Sequence, residues 1–352
     1  MEKKPHTAQR EHKKCNADSE CNSSEIRLDF LQNPPLSDFA RCILPQHAFS
    51  SIANKSDSAH IESQRNALKA HFGKASALPF NFSAGGFVEI FLQFKKIYFS
   101  PALHYEIRRA LDIVRPFTTQ IALDSTNRVT EIATSAHDKD STLIIAPLIN
   151  EDIFTRNAIP QVPNATFALD ISYALALGIS VESSADILFA NATPLGLVRD
   201  FGLIISDKIY TSTIHKRGVS EAFLGAINER RAKFANADRA QNLAFFEILK
   251  SHFGKDIDLF ACDFAPHTLP LRFRHINTRY LIEHLYLENI FVQPAQDCAL
   301  GFVKPSHTLL AQGFSPVQAR ELCAVSFERL CDMELLAQKL FESYKMIRLM
   351  EF

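Results

Sequence analysis

Short runs of almost continuous apolar residues alternate with segments of helical periodicity through the first two thirds of the chain. Four of these runs are TLIIAPLI, ATFALDI, ADILFAN and FGLIISD. A strand that is apolar on both faces is typical of a parallel sheet, because helices cover both sides of such a sheet. The pattern therefore predicts an α/β fold with a mainly parallel central sheet and helices on both faces. A ligand in that fold is expected at the carboxyl ends of the strands.

The pattern of apolar and polar residues changes near residue 229, from which long helical segments such as DMELLAQKLFESYKM replace the alternating runs. In this part of the chain the run IFVQP predicts one short strand. The first residues are polar, and a segment of such low hydrophobicity cannot offset the entropy of ordering. We therefore predict a disordered polar tail over residues 1–25, a large α/β domain over 26–240 and a small C-terminal α+β domain over 241–352.

Charge and composition exclude some classes of function. The chain has 38 basic and 39 acidic residues, so no excess of positive charge favours binding to nucleic acid or to an anionic membrane. The N-terminus lacks the apolar core of a signal peptide, and no later run is long enough to span a membrane. Seven cysteines, an odd number scattered over a long chain, suit a reducing compartment better than a disulfide scaffold. These features predict a cytoplasmic protein.

The stretch SAGG contains Ser83, Ala84, Gly85 and Gly86, and it lies between a predicted strand and a predicted helix. Successive small residues at the start of a helix let backbone N–H groups face an anion such as a phosphate. Glycine pairs between a strand and a helix also serve as tight turns. Both interpretations stay open for this segment.

Polar side chains follow several of the predicted strands. Asp170 ends one strand, where a buried carboxylate needs a cationic or protonated partner, unless it caps the following turn. His104 is the first residue of a helical pattern. Its ring either stacks on a flat cofactor or simply marks the start of the helix. Asn150, Glu151 and Asp152 follow another strand, at the functional edge of the sheet or in a polar loop.

The stretch CALGFVKPSHTLLAQGFSP begins at Cys298 and places glycine and Pro-Ser-His after the cysteine. In order and spacing, these features resemble the NifS-type cysteine desulfurases, which belong to the class V aminotransferase group of fold-type I pyridoxal-phosphate proteins. The resemblance covers roughly residues 26–340. It implies the fold-type I architecture, pyridoxal phosphate as cofactor, and transfer of sulfur from L-cysteine to Cys298. The cofactor-binding positions that it implies are Ser83, Ala84, Gly85, Gly86, His104, Asn150, Asp170, Tyr173 and Arg217, the last of which reaches across a homodimer.

The chain departs from the family at the positions that carry the chemistry. The resemblance places the Schiff-base lysine at Thr193 or Pro194, and no lysine occurs between residues 139 and 208. Pyridoxal-phosphate chemistry needs that amine to hold the cofactor and to move protons. Ala324 stands where the family binds the substrate carboxylate with an arginine, and Tyr173 stands where the family has glutamine.

These departures predict a catalytically impaired homologue of the desulfurases. Such a protein binds pyridoxal phosphate noncovalently or not at all. It acts as a partner subunit of an active desulfurase, as a sulfur carrier through Cys298, or as a binding protein for an iron–sulfur scaffold, and it is expected to form a homodimer. The resemblance also allows an active pyridoxal-phosphate enzyme that uses a displaced lysine, Lys208 or Lys216. A third interpretation is an α/β protein with an unrelated interaction role.

Overall fold

The α/β class predicted from the sequence is confirmed, with helices packed on both faces of a mostly parallel sheet. Residues 1–24 of the predicted tail lie outside the described part of the chain. The computed structural model describes residues 25–37, 55–121, 141–157, 164–181, 185–199, 201–210, 219–293 and 304–350.

Twelve strands lie in the described part of the chain, and they form three sheets. The four apolar runs that predicted strands correspond to β5, β6, β7 and β8. The strands are β1 (Ile26–Arg27), β2 (Ser76–Asn81), β3 (Lys96–Phe99), β4 (Thr118–Gln120), β5 (Thr142–Pro147), β6 (Thr166–Asp170), β7 (Ile187–Asn191), β8 (Phe201–Ser206), β9 (Ile257–Leu259), β10 (Thr268–Phe273), β11 (Ile290–Phe291) and β12 (Leu322–Ser326).

Ten α-helices lie in the same described residues. None of them is both long enough and apolar enough to cross a membrane. The helices are α1 (Lys55–Phe72), α2 (Ala84–Phe91), α3 (Tyr105–Ile113), α4 (Ser172–Ala176), α5 (Val219–Lys233), α6 (Ala240–Phe253), α7 (Thr278–Leu287), α8 (His307–Ala311), α9 (Pro316–Ala319) and α10 (Met333–Met350), and short 3-10 turns occupy Arg115–Phe117, Thr193–Leu195 and Gly254–Asp256.

The large sheet has seven strands in the order β2-β8-β7-β6-β5-β3-β4. Strand β8 runs antiparallel to both of its neighbours, whereas the other neighbouring pairs are parallel. The register pairs Pro147 with Asp170 and Asp170 with Phe189 across the centre of the sheet. The carboxyl ends of β5, β6 and β7 therefore lie side by side at one edge.

Alternate side chains of the central strands fill two separate cores. Ile144 and Leu169 belong to the core on the face covered by α1, α4 and α5. Leu143 and Ile145 belong to the core on the opposite face, which α2 and α3 cover. All residues of β5, β6 and β7 are buried, which explains why their sequences are apolar at successive positions rather than at every second one.

A smaller antiparallel sheet with the order β12-β10-β9 lies in the C-terminal part of the chain. The N-terminal strand β1 pairs with β11, and Asp29 forms a bridge with Ser326. Residues 25–37 therefore pair with strands of the C-terminal part and not with the seven-stranded sheet. This long-range pairing brings the N-terminal segment beside residues 193–199.

Glycine at position 86 lets the start of α2 approach the end of β2. A Cβ atom at Gly86 would lie 2.1 Å from the carbonyl oxygen of Asn81, far closer than van der Waals contact allows. At Gly85 the nearest atom to a Cβ would be Ser83 Oγ at 4.0 Å. The second glycine of SAGG therefore has a packing role that the first one lacks.

We expect Gly86→Ala to lower the free energy of unfolding by about 1–3 kcal/mol, the usual cost of overpacking, because the added methyl group meets backbone atoms. Gly85→Ala is the matched control in the same turn, and it should leave stability unchanged or raise it by up to about 1 kcal/mol through helix propensity. Urea unfolding measures both variants. Equal effects of the two substitutions would contradict the packing role of Gly86.

Candidate functional site

Polar side chains from separate elements meet at the carboxyl edge of the large sheet. His104 Nε2 lies 3.4 Å from Asn191 Nδ2 and 3.9 Å from Glu151 Oε1. The backbone N–H of Asn191 donates to Ser172 Oγ at 2.8 Å, and Ser172 in turn contacts Asp170. The fold thus brings together residues that the sequence placed after separate strands, and it adds Asn191 and Ser172 to them.

The small-residue turn already holds an anion that belongs to the chain. The backbone N–H of Ala84 donates to Glu106 Oε2 at 2.6 Å. Ser83 is the N-cap of α2 and accepts from the N–H of Gly86 at 3.4 Å. Both contacts satisfy N–H groups at the start of the helix, where negative charge is favoured. A carboxylate from α3 therefore lies where the resemblance places the cofactor phosphate.

His104 is the N-cap of α3, as the helix-start interpretation predicted. Its Nδ1 accepts from the backbone N–H of Glu106 at 3.1 Å. This bond uses the lone pair of Nδ1, and Nε2 is the ring nitrogen that faces Asn191 and Glu151. Its ring makes an edge contact with Phe82, with 5.1 Å between ring centroids.

Asp170 is buried at the end of β6, with 4% of its surface exposed. Its Oδ1 accepts from the backbone N–H of Ser172 at 3.0 Å and also from the Ser172 hydroxyl. Burial raises the pKa of Asp170 from 3.8 to about 6, although the two bonds from Ser172 oppose that shift. The contacts of Asp170 with Ser172 are those of a turn-capping carboxylate, which was one of the two interpretations of this residue.

Asn150 also serves the local turn. Its Oδ1 accepts from the backbone N–H of Asp152 at 2.7 Å and of Ile153 at 3.2 Å. The residue is fully buried, and its Nδ2 has no hydrogen-bond partner within the described residues. Asn150 therefore fixes the direction in which Glu151 and Asp152 leave the strand.

Negative charge accumulates at this edge of the sheet. Burial raises the pKa of Tyr173 well above its ordinary value, and the charges of Glu151, Asp152 and Asp170 raise it further. Glu106 adds a fourth carboxylate at this edge, since it contacts His104, which in turn lies 3.9 Å from Glu151. Sequence reasoning missed Glu106, and the only signal for it was an acidic residue in the first turn of a helix that starts at the edge of the sheet.

The Pro-Ser-His segment is tied to the same edge. Ser306 donates its hydroxyl hydrogen to Asp152 Oδ2 and accepts from the backbone N–H of Leu309 at 3.2 Å as the N-cap of α8. The polar loop after β5 therefore contacts the segment that follows Cys298 in sequence. Cys298 itself and Arg217 lie outside the described residues.

Small residues that are held by backbone hydrogen bonds occupy the positions at which the family carries its lysine and arginine. Thr193 and Pro194 begin the 3-10 turn after β7, where the Thr193 N–H donates to Asn191 Oδ1 at 3.0 Å and Pro194 is buried. Ala324 lies fully buried in β12, and its backbone N–H donates to the Gln293 carbonyl at 3.2 Å.

Three cysteines lie in the described residues. Cys262 is exposed and free. Cys323 is buried and free, and burial raises its pKa to about 12, which makes its thiol unreactive. Cys331 is disulfide-bonded. The expectation of a reducing compartment did not foresee this disulfide.

Pyridoxal phosphate fits the described residues of this site poorly. The Ala84 N–H, which would bind its phosphate, already donates to the Glu106 carboxylate, and a phosphate beside that carboxylate would be repelled. The described contacts of the site include no lysine to hold the cofactor covalently. Only Asp170 retains a suitable place, as a buried carboxylate that a protonated ring nitrogen would neutralise.

The raised pKa of Asp170 predicts a pH-dependent effect of Asp170→Asn. A carboxyl whose pKa rises from 3.8 to about 6 on folding binds more protons in the folded state within that pH window, so its contribution to stability falls as the pH rises. Asparagine keeps the shape and removes the charge. We therefore expect the free energy of unfolding of the variant, relative to the unsubstituted protein, to increase by about 2 kcal/mol between about pH 4 and about pH 7.

Urea unfolding at several pH values measures this difference. Asp112→Asn, at an exposed carboxylate on α3, is the matched control and should show no such increase. A difference for Asp170→Asn that stays constant with pH would contradict the buried, destabilised charge.

The comparisons with known proteins identify the fold. No protein-family model matches the sequence, and no curated protein matches it either. A solved structure of a NifS-like protein from Rickettsia africae ESF-5 is similar with a TM-score of 0.71 at 15% identity, over 92% of this chain and 99% of that one. Another NifS-like protein gives a TM-score of 0.71 at 14% identity, over 92% of this chain and 100% of that one.

An aspartate aminotransferase of subgroup IV from Thermus thermophilus is more distant. It has a TM-score of 0.62 at 10% identity, over 92% of this chain and 100% of that chain. Identities this low establish architecture only, since one fold carries many functions. The chain has the fold of the NifS-like proteins, the fold-type I architecture that the sequence resemblance implied.

Proposed function

We propose that this protein is a non-catalytic relative of the cysteine desulfurases, which acts by binding other proteins and by carrying sulfur on Cys298. In this proposal it forms a homodimer in the cytoplasm and associates with an active desulfurase or with an iron–sulfur scaffold protein. Its site keeps the shape of the family and has lost the groups that hold and use pyridoxal phosphate.

One observation carries the proposal, namely the hydrogen bond of 2.6 Å from the Ala84 N–H to the Glu106 carboxylate. A phosphate bound at the same turn would lose a backbone donor and would lie next to a negative charge. Like charges at hydrogen-bonding distance repel strongly where water is partly excluded. An intramolecular carboxylate in this place supports a site that has given up the cofactor.

The position of Lys208 argues against a displaced Schiff-base lysine. Lys208 follows the carboxyl end of β8, and β8 runs antiparallel to β7. Since the site lies at the carboxyl end of β7, Lys208 lies at the opposite edge of the sheet, about 20 Å away for a six-residue strand. A lysine side chain cannot span that distance. Lys216, the other candidate, lies outside the described residues.

Ala324, at the position where the family binds the substrate carboxylate, also supports a non-catalytic protein. Ala324 is completely buried in β12, between the backbone of β10 and the bridge to Gln293. An arginine there would bring a charge into an apolar core without a partner, which is costly. The packing around Ala324 therefore suits a small apolar side chain.

The alternative is an active pyridoxal-phosphate enzyme, which the family resemblance favours. The two are separated by adding pyridoxal phosphate, reducing with borohydride and measuring the intact mass. We expect no covalent adduct on any lysine, because the site offers no amine at Thr193 or Pro194. An adduct confined to one lysine would overturn the proposal, and peptide mapping would identify the lysine that replaces the lost one.

A titration of the protein with pyridoxal phosphate, without borohydride, tests the role of Glu106 through two glutamine substitutions. Glu106→Gln removes the charge beside the Ala84 N–H and keeps the side-chain shape, so noncovalent binding of pyridoxal phosphate should tighten by about tenfold, equivalent to about 1.4 kcal/mol. Glu247→Gln, at an exposed position on α6, is the matched control and should have no effect. Unchanged binding in Glu106→Gln would contradict the exclusion of phosphate by this carboxylate.

The sulfur-carrier part of the proposal has its own test. We expect that an active cysteine desulfurase, incubated with L-cysteine and this protein, transfers the outer sulfur of its persulfide to the Cys298 thiolate, while the donor cysteine returns to a thiol. Intact mass should show the addition of one sulfur atom, which Cys298→Ser abolishes. Cys262→Ser, at an exposed free cysteine, should leave the transfer unchanged. Loss of transfer in Cys262→Ser instead would reassign the acceptor.

A further inference from the structure

A cleft lies between the N-terminal segment and the residues that follow the 3-10 turn after β7. We call it the Gly196 cleft, after the residue at which the two segments touch. Gly196 has a φ of 73°, and a Cβ atom there would lie 2.3 Å from the Pro35 carbonyl oxygen. The cleft encloses about 410 Å³, the size of a small-molecule site. Its lining residues are Arg27, Gln32, Asn33, Pro34, Leu36, Thr193, Gly196, Leu197, Val198 and Arg199.

The lining carries positive charge only. Arg199 Nη2 donates to the neutral oxygen Asn33 Oδ1 at 3.3 Å, and the ion pairs of the described residues do not include Arg199. Arg27 pairs with the buried Asp29 at 2.9 Å and also donates to the Asn33 carbonyl at 3.2 Å. No acidic residue is among the lining residues. Of the two guanidinium groups, that of Arg199 is therefore the one available for an anion.

A second positive charge lies behind Gly196. A Cβ atom on Gly196 would lie 3.3 Å from Arg230 Nη2, so this guanidinium is directly beneath the glycine. Arg230 is 1% exposed, and none of its three side-chain nitrogens has a hydrogen-bond partner within the described residues. Its guanidinium stacks on the Phe30 ring at 4.6 Å.

The carboxylates around Arg230 offset the cost of burying its charge only in part. Glu229 and Glu328 both act on Arg230 electrostatically, yet burial is the larger effect and lowers the pKa of the guanidinium. Glu229 also accepts the hydroxyl of Ser37 at 2.6 Å, and Glu328 pairs with Lys233 at 2.5 Å. A buried charge without hydrogen bonds is costly, so an anion on the other side of Gly196 would be favoured there.

The rest of the lining is apolar. Leu36, Val198 and Pro34 present hydrocarbon surface next to the arginines, and Leu36 and Val198 are 53% and 40% exposed. A ligand suited to this lining has one anionic end and one apolar end. Ala324, where the resemblance places the carboxylate-binding arginine, is not among the lining residues.

We propose that the Gly196 cleft binds a small organic carboxylate, whose charged end is held by Arg199 and whose apolar end packs on Leu36 and Val198. The planar guanidinium fork matches the two oxygens of a carboxylate, and Arg230 adds a fixed positive charge behind the site. This binding needs no cofactor and no sulfur chemistry, so it is independent of the function proposed above.

The test is a calorimetric titration of the full-length protein with isovalerate, using isovaleramide as the uncharged analogue of the same shape. We expect saturable binding of isovalerate with a Kd of about 1 mM or tighter, and binding of isovaleramide weaker by about tenfold or more. Inorganic phosphate should compete weakly, because it lacks the apolar end. Equal binding of isovalerate and isovaleramide, or no binding of isovalerate, would overturn the proposal, and phosphate binding tighter than isovalerate would overturn the assignment to a carboxylate.

Substitution of the cleft arginine gives the matched comparison. Arg199→Gln should weaken the binding of isovalerate by about tenfold, because a charge-assisted contact is lost. Arg199→Lys should retain part of the affinity. Arg279→Gln, at an exposed arginine on α7, is the control and should bind as the unsubstituted protein does. Thermal unfolding of each variant verifies that the fold is intact. Equal affinity of Arg199→Gln and Arg279→Gln would overturn the role of Arg199.

Discussion

The central strands β5, β6 and β7 are buried on both faces, and this burial fixes where polar chemistry can lie in the large sheet. No position along these strands faces water, so polar side chains are confined to the strand ends and to the turns that follow them. Asn150, Asp170 and Asn191 all occupy such ends. Their contacts satisfy the turns first, as expected for buried polar groups, and the same contacts hold the edge of the sheet together.

The charges near this edge are segregated. Glu106 and Glu151 lie beside His104, and Asp152 and Asp170 act on nearby Tyr173. Arg199, in contrast, lines the cleft beside the N-terminal segment, and Arg230 lies beneath it. Thr193 lies between the two regions, since its N–H donates to Asn191 and the residue also lines the cleft. A site that was negative throughout would repel anionic ligands. Because the carboxylates and the arginines are separated, the turn at Thr193 borders one negative and one positive region.

Several elements of the fold followed from local sequence pattern. The four continuous apolar runs became β5 to β8, and SAGG became the start of a helix with Ser83 as its N-cap. His104 was predicted at the start of a helix and is an N-cap. These predictions succeed because burial and capping depend on residues close in sequence. The antiparallel direction of β8 did not follow, since a buried strand has the same composition in either direction.

The sequence by itself determined the fold class, the strand ends that carry polar residues, and the absence of a lysine between residues 139 and 208. Only the tertiary structure decided that the Ala84 N–H donates to Glu106, that Lys208 lies at the far edge of the sheet, and that Arg230 is buried beneath Gly196. Secondary structure and burial leave a periodic record along the chain, because neighbouring residues share one environment. A contact between residues far apart in sequence leaves none, since it exists only once the separate elements have packed together.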